Sequence, residues 1–191
     1  MGMVDNVLVQ LQKALNQAFQ RSQPRAEDWV ILSNLVDHEG RMVEDTRDKV
    51  VLSLVNIQHE TVVSTYNRTV PAADGSYTVV SPPIYINLYV MFMANFLDRN
   101  YTAGLDAISQ TISYFQQNPY LTHETNPDLS PAVDKIVMEL ANLDMMQVNY
   151  VMGMMGSKYL PAVFYKLRML PFNSQALVGV TGPVSGPSVN P

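Results

Sequence analysis

PPIYINLYVMFMANF, residues 82–96, is the stretch that decides the fold. It carries no charge, no proline after Pro83, and many β-branched and aromatic residues, so a buried helix and a long strand are both candidate structures. Alternation favours the strand, because every second residue forms one apolar row of Ile84, Ile86, Leu88, Val90, Phe92, Ala94 and Phe96. The stretch exceeds the length of about five or six residues that is usual for strands, so we predict a central strand.

The opposite face of this predicted strand is amphipathic rather than charged. Strand faces toward water normally carry polar side chains, whereas Tyr, Asn and Met suit a surface that other protein groups cover. Two hypotheses stay open, because either a partner protein or a second helix of the same chain could cover this face. Its residues are Tyr85, Asn87, Tyr89, Met91, Met93 and Asn95.

The composition is that of an acidic globular chain without cysteine. Of the 191 residues, 47% are hydrophobic, and the formal net charge is −5. The acidic balance and scattered Lys and Arg argue against a nucleic-acid partner, and the lack of cysteine excludes thiol chemistry and disulfides. No apolar run approaches the roughly 18 residues of a membrane span, and the N-terminus lacks a secretory signal pattern. We therefore expect neither nucleic acid nor membrane as a partner.

Two of the three predicted helices lie far apart in the sequence, and both are expected to pack on the sheet. Residues 3–20 repeat apolar side chains at helical spacing. Residues 101–117 form the second helix, with Asn100 as its predicted N-cap. The predicted buried stripe of this second helix consists of Tyr101, Leu105, Ile108, Ile112 and Phe115.

The third predicted helix spans residues 145–155. Asp144 and Gln147 have the spacing of a capping box, in which each side chain bonds the other's backbone amide. Gly156 suits a left-handed C-cap. The segment before this region, residues 120–131, is predicted to be a polar loop.

Further strands complete an α/β fold. An Asp-Gly pair in residues 71–76 indicates a hairpin tip. Pro161 would be awkward in a central strand, so we expect the last strand to begin at a sheet edge. We predict a mixed β-sheet with two to three helices packed on it, whose other strands lie in residues 29–35, 49–59, 61–70, 77–80, 132–143 and 159–172.

The C-terminal segment differs from the rest of the chain. Residues 173–191 carry no charge and are rich in Gly, Pro, Ser and Val. Such a segment is extended or disordered on its own, or it adds a strand to the sheet edge of a neighbour. We therefore predict a domain over residues 1–172 and an extended C-terminal arm over residues 173–191.

No catalytic or metal-binding motif stands out. Each histidine precedes a glutamate, at His38, His59 and His123, but neighbouring residues on a strand point to opposite faces, and no HxH or HExxH spacing occurs. P-loop, GxSxG and GxGxxG motifs are also absent. We predict no catalytic residue, metal or cofactor. A small ligand-binding or enzymatic α/β domain with a pocket near residues 120–131 is the rival hypothesis.

Four segments together resemble one known family. They are WVILSNLVD (29–37) with KVVLSLVNIQHE (49–60), the stretch 82–96, the helix end ISYFQQNP (112–119), and NLDMMQVNYVMGMMGSKYLPAVFYKLRML (142–170). In this order the chain resembles the tail-terminator or cap proteins of phage-tail-like contractile injection systems, of the antifeeding-prophage type. The resemblance runs from about residue 4 to residue 172.

This resemblance implies a structural, non-enzymatic role and a phage tail-terminator-like fold. Such proteins form a hexameric ring on the baseplate-distal end of the tube and sheath, where they end polymerisation and anchor the last sheath layer. The implied partners are further copies of the chain, the inner tube protein and the sheath protein. Assembly is expected in the cytoplasm, in a particle that is later released or anchored. A scaffold oligomer outside phage-like particles is a further alternative.

The hypothesised interface combines the amphipathic strand face with the hairpin, the last strand and the arm. The strand face or a strand edge would meet the neighbouring subunit, and the hairpin or the arm would reach sheath or neighbour by strand addition. The residues of this interface are Tyr66, Tyr77, Tyr85, Asn87, Tyr89, Met91, Met93, Lys166, Arg168, Val178 and Val180.

Overall fold

The structure, a computed structural model, describes residues 2–61, 68–71, 77–80, 84–96, 98–172 and 177–181. Three α-helices occur within these ranges: α1 (Met3–Ser22), α2 (Tyr101–Gln117) and α3 (Met145–Met154). The strands of the same ranges are β1 (Val30–Leu32), β2 (Lys49–His59), β3 (Arg68–Pro71), β4 (Tyr77–Val80), β5 (Ile84–Asn95), β6 (Tyr120–Thr122), β7 (Lys135–Leu140), β8 (Ala162–Phe172) and β9 (Leu177–Thr181).

A six-stranded mixed sheet has the order β1-β2-β5-β8-β7-β6. The pair β1–β2 is parallel, and the pairs β6–β7 and β7–β8 are antiparallel. The Asp48 amide donates to the Asn95 carbonyl at 2.8 Å, and the Ala94 amide donates to the Pro161 carbonyl at 2.9 Å. These bonds join the start of one strand to the end of its neighbour, as antiparallel pairing requires. The predicted mixed sheet with a central β5 is confirmed.

The chain divides into two compact units. The larger unit comprises Met1–Gln58 and Asn87–Leu170 and holds all three helices. The smaller unit comprises His59–Ile86 and Pro171–Pro191 and holds an antiparallel sheet of order β3-β4-β9. The strands β3 and β4 of the predicted hairpin therefore group with the end of the chain, and the domain boundary at residue 172 stays a prediction.

The described part of the predicted arm is the strand β9. It pairs antiparallel with β4 of its own chain, where Tyr77 lies opposite Thr181 and Thr78 lies opposite Val180. Valine favours extended structure, and a two-stranded hairpin leaves an edge of unpaired backbone groups that a third strand satisfies. Strand β9 therefore completes a sheet of its own chain as an edge strand, and its pairing with a strand of a neighbour stays a prediction.

The two long helices cover one face of the large sheet. Phe92 of β5 contacts Phe115 of α2 at a ring-centroid distance of 5.4 Å and Tyr165 of β8 at 5.9 Å. Trp29, just before β1, stacks on Phe19 of α1 at 5.4 Å. Each such aromatic pair contributes roughly 0.5–1.5 kcal/mol beyond its buried area. The predicted apolar face of β5 is therefore buried from Ile86 to Phe96, whereas Ile84 at its start has an exposed fraction of 49%.

Helix α1 also closes one edge of this sheet. The Asn16 Nδ2 donates to the Val30 carbonyl at 2.9 Å, and the Val30 amide donates to Asn16 Oδ1 at 2.8 Å. Gln12 Nε2 donates to the same carbonyl at 3.1 Å. Because an edge strand otherwise presents unpaired backbone groups, these two side chains protect β1 from pairing with another chain.

Helix α2 packs through small side chains, and its predicted buried stripe is largely wrong. A Cβ at Gly104 would lie 3.0 Å from Phe96 Cβ, so the helix approaches β5 more closely than a larger residue would permit. The closely packed face is Gly104, Ala107, Thr111 and Phe115. Of the predicted stripe, Phe115 is buried and Ile108 is half-buried, whereas the exposed fractions of Tyr101, Leu105 and Ile112 are 48%, 42% and 39%.

Three smaller predictions also differ from the structure. Asn100 occupies the N-cap position of α2 as the last residue of a 3-10 turn, but its side chain makes no capping bond and instead donates to Asp48 Oδ1 at 3.2 Å. The predicted loop 120–131 begins with β6, which pairs with β7. Strand β8 lies inside the sheet, and Pro161 precedes its first residue, so no amide needed for pairing is lost.

The ends of α3 are formed as predicted. Asp144 Oδ1 accepts from the Gln147 amide at 2.8 Å, and Gln147 Oε1 accepts from the Asp144 amide at 3.0 Å, which completes the capping box. Gly156 has a φ of +65°, and the Ser157 amide donates to the Met152 carbonyl at 3.1 Å. This is the hydrogen bond of a Schellman motif, so α3 has firm boundaries at both ends.

Candidate assembly surface

Helix α3 covers part of the second face of β5. Met91 and Met93 have no exposed surface, and they pack with Val51, Phe164 and Met152 of α3. Flexible methionines fill the space beneath this short helix. For this part of the face, a helix of the same chain is the cover. Met91 and Met93 are therefore wrong as surface residues of a free subunit.

The other predicted interface residues are distributed over several places. Asn87 is buried, with an exposed fraction of 3%, and Tyr85 is half-buried. Tyr66 lies outside the described residues. Backbone pairing alone is described for three others, namely Tyr77 in β4 and Val178 and Val180 in β9. The assignment of these residues to an interface stays a prediction.

Three predicted interface residues lie on the face of the sheet that α3 covers in part, in the area outside α3. Lys166 Nζ of β8 lies 5.8 Å from the ring centroid of Tyr89 of β5. Arg168 of β8 forms an ion pair with Glu139 of β7, with 3.0 Å between Nη1 and Oε1. All four side chains are half-buried. A half-exposed ion pair adds about 0–1 kcal/mol to stability, so these groups are better suited to orienting a partner than to holding the fold.

An apolar groove of about 190 Å³ lies beside α3 on the same face. Its walls include Val55, Ala141, Leu143, Val151 and Phe164. Binding sites for small molecules usually have volumes of roughly 300–1,000 Å³. This groove is smaller than that, and it suits a protruding side chain of a protein partner.

The outer side of α3 is apolar as well. The segment Met145–Met154 contains no charged residue, although an exposed helix normally carries charge on its outer face. The exposed fractions are 80% for Met145, 66% for Met146, 66% for Tyr150, 72% for Met154 and 67% for the nearby Tyr159. We call these five residues the α3 patch. An uncharged helix that exposes so many large apolar side chains is a candidate interaction site.

A second apolar surface lies on the α1–α2 side of the sheet. Tyr101, Leu105 and Ile112 project from α2, and we call them the α2 stripe. The α2 segment of 17 residues contains a single charged residue, Asp106. Helical spacing predicted the α2 stripe to be core, and no predicted interface residue belongs to the α3 patch. The uncharged sequence MMQVNYVMGM is the signal that could have indicated it, because such a helix is typically covered on all sides.

The pocket of the rival hypothesis, near residues 120–131, contains few side chains that could take part in a reaction. A cleft of about 410 Å³ is lined by Thr125 and Asn126 together with residues of α1 and α2. Its titratable groups are Arg21 and Tyr114, and burial raises the pKa of Tyr114. Neither a carboxylate nor a histidine is among its lining residues, and His123 is exposed. The cleft therefore lacks the paired acid and base of a hydrolytic site.

Clusters of metal-ligating side chains and membrane-spanning helices are both absent from the described ranges. In those ranges, no group of three or more His, Asp or Glu side chains is placed to hold a metal ion. No helix of the described part of the chain is both long and apolar enough to span a bilayer.

Comparison with known proteins identifies the family. The profile of the Pvc16 N-terminal domain family matches residues 6–186. No curated protein matches the sequence significantly. The fold is similar to the cryo-EM structure of the sheath/tube terminator of the extracellular contractile injection system PVC in its extended state, with a TM-score of 0.62, 12% identity, and coverage of 95% of this chain and 62% of that chain.

A second solved structure has the same fold. It is the tube-terminating cap of the anti-feeding prophage, with a TM-score of 0.56, 12% identity, and coverage of 95% of this chain and 60% of that chain. This chain therefore spans less than two thirds of the length of either protein. The predicted resemblance and the predicted fold are both confirmed, and the chain belongs to the Pvc16 N-terminal domain family.

Proposed function

We propose that this chain is a cap, or tail terminator, of a phage-tail-like contractile injection system. The observation that carries the proposal is the family match over residues 6–186, which coincides with the fold of proteins described as tube or sheath terminators. In this role, six copies form a ring on the baseplate-distal end of the tube and sheath. The ring ends polymerisation of the tube and anchors the last sheath layer.

The larger unit supplies the contacts between neighbouring subunits. Its α3 side carries the α3 patch and the half-buried groups Tyr89, Lys166 and Arg168, which are placed for recognition rather than for the core. A ring needs such a surface to meet a different surface of the next copy, because heterologous contacts are the ones that close into cycles.

The smaller unit supplies the contacts with tube or sheath. Its sheet has two edges, β3 and β9. Arg68 and Pro71 lie in β3, and both residue types discourage further pairing at an edge. The uncharged strand β9, with Val178 and Val180, carries no such protection. A strand of the sheath protein therefore has a suitable place to add beside β9.

The role is structural and not enzymatic. The solved structures of similar fold are described as terminators and caps, and the cleft near residues 120–131 offers no acid–base pair. Assembly takes place in the cytoplasm with the inner tube and sheath proteins as partners, before the particle is released or anchored.

The experiment that tests this function measures tube growth. The purified chain of residues 1–191 is added to the inner tube protein of the same particle while tubes assemble, and tube lengths are measured by electron microscopy. We expect shorter tubes with one ring at one end, and light scattering should report a mass of six subunits for the ring.

A matched control uses the chain without residues 173–191. The larger unit contains none of these residues, so the truncated chain should fold, and its loss of β9 should weaken capping. A chain that stays monomeric beside the tube protein and leaves tube length unchanged would reject the proposed function.

A further inference from the structure

We propose that the α3 patch of one subunit packs against the α2 stripe of the next copy, in a head-to-tail contact. This inference rests on the proposed function only in assuming that the chain assembles with itself. The occupant of the α3 patch is therefore a second copy of this chain, and the α2 stripe is the surface that it presents.

The size of the α3 patch fits a specific protein interface. With exposed fractions of 66–80%, its three methionines and two tyrosines together offer roughly 700 Å² of accessible surface, polar atoms included. This is close to the share of about 800 Å² per partner in an interface of standard size. Methionine adapts its shape to a partner, and tyrosine is enriched among the residues that dominate binding energy. The patch is thus large enough for a stable contact.

The α2 stripe matches the patch in character. Both helices are almost free of charge, since α3 has no charged residue and α2 has only Asp106. Asp106 Oδ2 already accepts bonds from Gln23 at 2.7 Å and Gln110 at 2.8 Å, so its charge is directed toward its own chain. Pairing the two helices through these surfaces therefore buries apolar groups and leaves no charge of α2 or α3 without a partner.

The positions of the two surfaces favour a head-to-tail arrangement. Helix α2 contacts Phe92, and α3 covers Met91 and Met93, which alternate with Phe92 along β5. The two helices thus lie on opposite faces of one sheet. A two-fold contact of the α3 patch with itself would leave the α2 stripe exposed in every copy. A heterologous contact covers both surfaces in each subunit of a closed ring.

The test uses one charged variant on each surface. Tyr150→Glu places a charge in the middle of the α3 patch, and Leu105→Glu places one in the α2 stripe. Both side chains are substantially exposed in the free subunit, at 66% and 42%. Each variant should therefore fold and lose at least about 100-fold in self-affinity. Sedimentation velocity of the variant chains, each with residues 1–191, should show monomers for each variant alone.

Mixing the two variants gives the decisive result. The Leu105→Glu chain keeps an intact α3 patch, and the Tyr150→Glu chain keeps an intact α2 stripe. The mixture should therefore form a 1:1 dimer and no larger species, because one productive contact is left. Thr102→Glu, an exposed position of α2 beside the stripe, adds the same charge and should leave assembly unchanged.

Several outcomes would overturn the inference. A Leu105→Glu chain that still self-associates would indicate a two-fold α3 contact, and a mixture that stays monomeric would show that the two surfaces do not meet. If Tyr150→Glu assembles normally but no longer binds tubes, the α3 patch belongs to the tube, and the capping function still stands. Should circular dichroism show that Leu105→Glu is unfolded, Tyr101→Glu, at 48% exposure, takes its place.

Discussion

The two faces of the six-stranded sheet differ in side-chain composition and in how fully helices cover them. On one face, the helices α1 and α2, with 20 and 17 residues, enclose aromatic rings that contact one another at 4.9–5.9 Å. On the other face, a helix of 10 residues, α3, covers methionines and leaves an apolar groove and charged groups beside it. The first face has the packing of a protein core, and the second has the composition of an interface.

This difference separates stability from assembly within one sheet. Aromatic rings and small helix residues fit together tightly and tolerate little change of volume. Methionine side chains beneath a short helix adjust more easily. A subunit built in this way keeps its shape through the α1–α2 face, while the α3 face adapts to a neighbour.

The largest expected effect comes from the face of the sheet beneath α1 and α2, which we call the aromatic face. Phe92 is completely buried between Phe115 and Tyr165. Phe92→Ala should lower the free energy of unfolding by about 3–5 kcal/mol, because it removes buried area and leaves a cavity. Urea unfolding followed by circular dichroism measures this loss.

The control for that variant lies on the opposite face of the sheet, beneath α3, which we call the methionine face. Met93→Leu keeps nearly the same volume and should cost less than about 1.5 kcal/mol. Equal losses in Phe92→Ala and Met93→Leu would contradict the difference between the two faces.

A glycine on each helix sharpens the comparison. Gly104 of α2 faces Phe96, and an added Cβ would lie 3.0 Å from Phe96 Cβ, whereas nothing lies within 4 Å of a Cβ added at Gly153 of α3. Gly104→Val should cost about 1–3 kcal/mol by forcing α2 away from β5. Gly153→Val should stay within about 0.5 kcal/mol of the wild type. The same unfolding measurement compares them, and a reversed order would mean that α2 moves freely.

The elements with strong local signals could be predicted from the sequence. The bounds of β2 and α2 agree with the predicted 49–59 and 101–117, and β5 lies within the predicted 82–96. Alternation, helical spacing and capping residues are properties of a few neighbouring residues, so they can be recognised without knowledge of the tertiary structure.

Which face of each helix or strand is buried, and by what, could not be predicted in the same way. Helical spacing fits both Tyr101–Leu105–Ile112 and the small residues around Gly104, and only the close approach to Phe96 decides which set is buried. Alternation in β5 likewise identified its second face, but not that α3 covers Met91 and Met93. These choices depend on contacts between residues far apart in sequence, which no local pattern contains.

A smaller effect is expected at the start of α3. Asp144→Ala removes the side chain that accepts from the Gln147 amide, and loss of such a cap costs about 1 kcal/mol. Since α3 is short, the loss should appear as faster hydrogen exchange in α3 and not in α1. Asn100→Ala is the matched control, because Asn100 makes no capping bond to α2. Equal protection of α3 in Asp144→Ala and wild type would show that packing on the sheet alone holds this helix.

The smallest effect concerns the dependence of stability on alkaline pH. Burial raises the pKa of Tyr165 above the ordinary tyrosine value near 10. The folded state then holds this proton more tightly than the unfolded state does. The resulting stabilisation is complete below a pH of about 10 and is lost as the pH rises through the folded-state pKa. Unfolding free energies measured in urea from neutral to alkaline pH should therefore fall most steeply in that upper range.

Tyr165→Phe isolates this contribution on the aromatic face. The ring contacts with Phe92 and Phe115 at 5.9 and 4.9 Å are kept, so stability near pH 7 should change by less than about 1.5 kcal/mol. The decline above pH 10 should become shallower, and it should flatten further when Tyr114, whose pKa burial also raises, is replaced by Phe. An alkaline slope identical to that of the wild type would mean that the Tyr165 hydroxyl reaches water, and that the aromatic face is less tightly closed than its ring contacts indicate.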